Sequence, residues 1–142
     1  MGKKRIVKKG GEAEAGKTGL SGRASRRKLD AGRLYVEATY NNTKVSLSDI
    51  SGNVVAWSSS GSLGFAGAKK GTPFAAAKVG ELLGDKALAM GLKEVSVVVS
   101  GVGAGRESSI RAFASKGIHI NAIKDTTPVP HNGPRPPKAR RV

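Results

Sequence analysis

The chain has 142 residues, enough for one domain of ordinary size, and sets 25 Lys and Arg against 10 Asp and Glu for a net charge of +15. It has no cysteine and only two well-separated histidines, which excludes disulfides, thiol chemistry and a self-sufficient zinc site. No run approaches the roughly 18–20 apolar residues of a membrane span, and the first 33 residues hold no apolar signal core, so a soluble intracellular protein is expected.

Residues 1–33 contain 11 basic and 3 acidic residues, with little that is apolar beyond Ile6, Val7, Leu20 and Leu29. Such a segment has too little surface to bury and is expected to be a basic, disordered tail. The pattern changes at Arg33. Leu34, Val36, Ala38 and Tyr40 alternate with Tyr35, Glu37 and Thr39, which predicts a strand. Asn41-Asn42 can take left-handed turn positions more cheaply than most residues, so a tight turn is expected there. Thr43, Val45 and Leu47 alternate with Lys44, Ser46 and Ser48 in a returning strand. Ser51-Gly52-Asn53 makes a second turn and Val54 to Ser58 a third strand, completing an antiparallel meander.

A glycine-rich stretch from Gly61 to Gly71 ends at Thr72-Pro73, an N-cap hydroxyl followed by Pro at the first helical position. The helix is predicted from Pro73 to about Met90, with Val79, Leu83, Ala87 and Met90 on one face and Gly91 as its stop. Gly80 and Gly84 weaken it by about 1 kcal/mol each relative to Ala; their spacing fits the close approach of a neighbouring backbone. Glu94 to Ser100 reads as a buried strand, and Gly101 to Gly105 as the loop that opens a second helix from about Arg106 to Lys116. Ile110, Phe113 and Ala114 share a face of that helix. Ile118, Ile120 and Ala122 then mark a last strand, ending near Lys124-Asp125. The order β-β-β-α-β-α-β predicts an α/β fold: a five-stranded mixed sheet, part meander and part β-α-β-α-β with right-handed crossovers, covered by two helices.

The last sixteen residues, Thr127 to Val142, hold five of the six prolines, four basic residues and no Asp or Glu. Proline fixes φ and lacks an N–H, so this run is neither a helix interior nor a central strand. It is expected to be extended and largely polyproline-like. The expected organisation is therefore a tail over 1–33, a body over 34–125 and a Pro-rich basic extension over 126–142. The body carries 10 basic and 7 acidic residues, so most of the surplus charge sits in the two flanking segments. A nearly balanced body between cationic tails is the footprint of a polyanion binder.

The Gly101–Gly105 loop precedes a helix start, where backbone N–H groups and glycine's small size suit a phosphate. It lacks the Gly-Lys-Ser/Thr of a nucleotide loop, and Arg106 takes the third glycine position of the dinucleotide fingerprint. A nucleic-acid phosphate contact aided by Arg106 and Arg111, or a purely structural turn, are both open readings. The Ser58–Lys70 stretch, with Lys69 and Lys70 at its end, is suited to following a sugar–phosphate backbone, and Phe65 within it is expected in the core. With aromatics at 4% of the chain, recognition by phosphate contact and shape is favoured over base stacking. Asp49 and Asp125 fall at strand ends and are expected to cap turns. No catalytic or metal-type cluster is visible, although a mixed sheet of this order also occurs in ribonuclease H-like nucleases, so a metal-dependent nuclease stands as one alternative and a sequence-indifferent nucleic-acid chaperone as another. Asn132-Gly133 is a turn by composition and chemically prone to isoaspartate formation.

Asn41-Asn42-Thr43, Gly52-Asn53-Val54, Trp57-Ser58-Ser59, Thr72-Pro73-Phe74-Ala75-Ala76, Gly103-Ala104-Gly105-Arg106-Glu107-Ser108 and Asp125-Thr126-Thr127-Pro128-Val129-Pro130-His131-Asn132-Gly133 occur in one order. Together with the ending Arg135 to Val142, they resemble the universal small-subunit ribosomal protein family number eleven, in its bacterial form. The resemblance covers residues 33–142. It implies a ribonuclease H-like arrangement and a structural, non-catalytic role without cofactor or metal. It also implies binding of ribosomal RNA on the platform of the small subunit, close to the messenger RNA path near the exit site, with neighbouring ribosomal proteins as partners and the cytoplasmic ribosome as location. Carried onto this sequence, the RNA-facing candidates are Asn41, Asn42, Thr43 and Lys44 in the first turn, and Gly64, Lys69 and Lys70 in the glycine-rich loop. To these are added Gly103, Arg106 and Arg111 around the second helix, and His131, Asn132, Arg135, Lys138, Arg140 and Arg141 in the extension.

Overall fold

The alternating stretch after Asp30 forms strand β1, Ala31–Ala38, which pairs antiparallel with β2, Thr43–Ser48, and β2 with β3, Val54–Ser59. The chain then passes through a single 3-10 turn, Gly67–Gly71, into helix α1, Pro73–Ala89. Strand β4, Glu94–Ser100, helix α2, Arg106–Ala114, and strand β5, His119–Asp125, complete the body. The computed structural model describes residues 28–138. The reading of residues 1–27 as a basic tail, and the candidates Arg140 and Arg141, lie outside the described residues.

The sheet order is β3-β2-β1-β4-β5, with β1, β4 and β5 parallel. Both crossovers, β3 to β4 and β4 to β5, run in the same direction across the sheet, so right-handed connections place both helices on one face. Accordingly, α1 packs on β2 and β3, α2 on β1 and β4, and the helices on each other. The expected five-stranded mixed α/β sheet with two helices is what the chain forms.

The core lies between that face and the helices. It consists of Leu34, Val36, Val45, Leu47, Val95, Val97 and Val99 from the sheet, with Val79, Leu83, Ala87 and Phe113 from the helices. Phe113 is the largest fully buried side chain. Gly80 and Gly84 are the contact points of the two helices: a Cβ on Gly80 would collide with the Ser109 carbonyl, and one on Gly84 with the Lys116 side chain. Their helix-weakening cost is offset by close helix–helix packing, as their spacing predicts. Thr72 caps α1, its hydroxyl accepting from the Ala75 amide at 3.3 Å, with Pro73 next.

Four local expectations change. The Asn41-Asn42 turn is not left-handed; among the described residues only Asn132 combines a side chain with positive φ, at 54°. The turn is instead a four-residue loop closed by Thr39, whose amide donates to the Asn42 carbonyl at 2.8 Å and whose hydroxyl bonds the Asn42 backbone. Tyr40 is consequently exposed rather than strand-bound. In β5 the alternation slips: a bulge opposite Val95/Ser96 accommodates Asn121, so Ile123 replaces Ala122 opposite the core-facing Val97. Finally, Phe65 is outside the core. It is half-buried and stacks edge-on against the exposed Phe74 at 6.1 Å, because the Gly61–Gly64 turn lifts it toward the start of α1.

Candidate nucleic-acid interface

The topology gathers the sequence-distant candidates at one end of the sheet. The β1–β2 loop, the β3–α1 loop, the β4–α2 loop and the chain leaving β5 all lie at the C-terminal ends of the parallel strands. Direct contacts join them. The Ser60 amide donates to the Thr43 carbonyl at 2.9 Å, the Gly103 amide to the Ala38 carbonyl at 2.8 Å, and the Thr126 amide to the Val99 carbonyl at 2.8 Å.

Four glycines make this proximity possible. A Cβ on Gly71 would collide with the Tyr40 carbonyl, on Gly101 with that of Ala38, on Gly103 with that of Thr39, and on Gly105 with the Thr43 hydroxyl. The Gly101–Gly105 glycines are thus used first to seat the loop against the β1–β2 turn. Gly101 also needs its positive φ of 98°.

The candidate residues take different places at this end. Thr43 is fully buried, and its carbonyl, rather than its side chain, ties the β3–α1 loop to β2. Asn41 is exposed and Asn42 half-buried, and the side-chain oxygen of Asn42 accepts no hydrogen bond within the described residues. Gly64 holds a φ of 95° with open space around it. Lys69 and Lys70 lie on the 3-10 turn and, among the described residues, form no ion pair. Lys44 points to the helix-free face of the sheet, 3.7 Å from Glu37. Arg111 pairs with Glu107 across one helical turn at 3.4 Å. His131, Asn132, Arg135 and Lys138 are all exposed.

Arg106 is engaged by the protein itself. Its guanidinium donates to the Gly101 carbonyl, to the Thr127 hydroxyl at 3.2 Å and to Asp125 Oδ2 at 2.6 Å. The Thr127 hydroxyl donates to Asp125 Oδ1 at 2.6 Å and accepts from the Gly101 amide at 3.2 Å, while the Thr127 amide donates to Asp125 Oδ1 at 2.8 Å. The Thr127 side chain, followed by Arg106, holds the Asp125 carboxyl well below the usual carboxylate range. Sequence reasoning found Arg106 but missed Thr127 as its partner. The only signal was Asp125-Thr126-Thr127 directly ahead of a proline.

Electrostatically, the body's acids are already used. Glu37, Glu81, Asp85, Glu107 and Asp125 form ion pairs, while Asp49 accepts from Asn53 and Glu94 from Asn121; Asp30, just ahead of the body, pairs with Lys93. Asp49 caps its turn as expected, and the Asn53 amide groups lower its pKa. Asp49 follows the end of β2 beside the start of β1, whereas Asp125 pairs opposite Val99 near the other end of the sheet. These carboxylates cannot share a metal ion, which removes the geometric basis for a nuclease. No cluster of metal-ligating side chains occurs among the described residues. No helix among them is long and apolar enough to cross a membrane.

The family model described as Ribosomal protein S11 matches residues 32–141 of this chain. The chain is also similar to the small ribosomal subunit protein uS11 of Solibacter usitatus (strain Ellin6076). The two are 51% identical over 129 residues, covering 91% of this chain and 96% of that protein.

Proposed function

The chain belongs to the ribosomal protein S11 family, structural and non-enzymatic components of the small ribosomal subunit, and from that premise we propose that it binds small-subunit ribosomal RNA through the loop end of its sheet and its basic extension. The observation that carries this reading is the gathering of four separate segments at one end of the sheet. Lys69 and Lys70 stand there without ion pairs among the described residues, and the Pro-rich extension leaves from there. Binding is by charge neutralisation and shape: lysines and arginines meet phosphates, and the rigid body sets their spacing. On this reading the protein sits on the platform of the cytoplasmic ribosome's small subunit, beside neighbouring ribosomal proteins. There it helps to shape the messenger RNA path near the exit site.

Removing one cation from a phosphate lowers the slope of log K against log salt by about 0.9 for duplex nucleic acid. Deleting residues 134–142, which takes away Arg135, Lys138, Arg140 and Arg141, should therefore flatten the slope for a ribosomal RNA fragment by roughly 3–4 units. An unchanged slope means that the extension does not pair with phosphates. Unrelated duplexes competing as well as the ribosomal fragment would favour a general nucleic-acid chaperone. Co-sedimentation with small subunits and RNA footprinting test the platform placement.

A further inference from the structure

The network around Thr127 occupies a mechanically decisive place. It joins the first residue of the β4–α2 loop, the first residue of α2, the last residue of β5 and the start of the extension. The Thr127 hydroxyl is used completely, donating once to Asp125 and accepting from the Gly101 amide and from Arg106. Immediately beyond it come Pro128, Val129 and Pro130. A segment with two prolines in three residues is stiff over several residues, so a direction imposed at its root is kept along its length. The extension after Thr127 is exposed throughout residues 128–138, and the network is its last firm hold on the body.

We propose that Arg106, Asp125 and Thr127 form a latch that aims the extension, so that these three are positioning residues for RNA binding rather than contact residues. The proposal rests on the RNA-binding reading for its consequence in affinity, though not for its geometry. It departs from an ordinary electrostatic account in the sign of one effect. Removing the negative charge of Asp125 beside a polyanion should strengthen binding if charge alone matters. If the latch sets the aim, the same change weakens binding, because the freed extension must be ordered when RNA arrives.

Two isosteric variants, Asp125→Asn and Thr127→Val, test this, with thermal unfolding confirming that the body remains folded. The chain has no cysteine, so Val129→Cys paired with Lys86→Cys allows two spin labels to report the distance from extension to body in the free protein. The intact latch should give a narrow distance distribution, and either latch variant a broad one. With a ribosomal RNA fragment, both variants should lose roughly three- to tenfold in affinity, the range expected for ordering one or two additional groups. Their salt slope should stay unchanged, since no phosphate contact is removed. An unaltered distance distribution overturns the latch, as does tighter binding by Asp125→Asn. A salt slope that falls by about one unit in Arg106→Gln, with normal label distances, makes Arg106 a contact residue and also overturns it. Failure of the unlabelled wild-type chain to bind the RNA would refute the RNA-binding reading instead, and the label distances would still decide the latch.

Discussion

Glycine serves two purposes at the ends of the sheet: Gly64 and Gly67 at the loop end also turn in open space, and Gly32 at the other end is blocked by the Ser48 carbonyl, but two sets of three show the purposes separately. At the end with the short turns, Gly52, Gly91 and Gly117 have positive φ and nothing within 4 Å of where a Cβ would stand. They are present for backbone conformation alone. At the loop end, Gly71, Gly103 and Gly105 have no positive φ, yet each is blocked by a neighbouring segment. They are present for proximity. The first kind lets a chain reverse; the second lets the β3–α1 and β4–α2 loops close onto the β1–β2 loop, while Thr126 and Thr127 tie in the chain leaving β5. The candidate interface lies at the second end, where spacing between positive groups must be held against the repulsion of assembling them.

The same substitution at the two ends should separate these roles most strongly. Gly103→Ala should cost about 3 kcal/mol, the upper end for overpacking a tight site, and Gly117→Ala about 1 kcal/mol, the cost of a left-handed conformation. Urea unfolding measures both. Asn in place of Ala should recover part of the deficit at Gly117, since Asn visits that region more cheaply, and deepen it at Gly103, where space is what is missing. Equal costs at both positions would erase the distinction.

Acid titration gives a smaller contrast. Asp125 at the loop end and Asp49 at the turn end both have folded pKa values below the ordinary one, Asp125 by the larger margin. A depressed carboxyl contributes its stability in full above the unfolded pKa of about 3.9, and loses it as the pH falls through the folded value. Stability should therefore decline below about pH 4. Asp125→Asn should flatten that decline more than Asp49→Asn, as measured by urea midpoints across the acid range. The reverse order would place the stronger carboxylate network at the turn end.

The smallest effect is chemical. Of the five asparagines only Asn132 precedes a glycine, and it lies exposed with φ at 54°. The Gly133 nitrogen is unhindered for attack on the Asn132 side chain. Peptide mapping with an isoaspartate-specific methyltransferase should find the modification in the extension and not at Asn41, Asn42, Asn53 or Asn121. Its absence from aged protein contradicts the expectation.

Much of the body was legible because its signals are local. The period-2 runs marked the strands, Thr72-Pro73 marked the start of α1, and Gly80 with Gly84 marked the helix contact. The order of elements pointed to a mixed sheet covered by two helices; that both lie on one face follows from the strand order β3-β2-β1-β4-β5. The features that escaped depend on partners far away in sequence. Gly101 and Gly103 suggested a phosphate loop, but what they meet is the end of β1, more than 60 residues earlier. Phe65 reads as core because hydrophobicity does not reveal that Phe74 would receive it at the surface. Arg106 could be read as a phosphate contact as readily as part of a structural turn, because its partners Asp125 and Thr127 lie about 20 residues downstream. The bulge at Asn121 displaced a single residue and thereby exchanged Ala122 for Ile123.

If RNA is met at the loop end and not at the turn end, two charge-matched variants should behave differently. Lys69→Ala with Lys70→Ala removes two lysines from the loop end, and Lys86→Ala with Lys93→Ala removes two from the last turn of α1 and the loop before β4. Measured as log K against log salt on the same ribosomal RNA fragment, the first pair should lower the slope by about 1–2 units, and the second should leave it unchanged. Equal changes in the two slopes, or a larger change from Lys86 and Lys93, would mean that RNA is not met at the loop end.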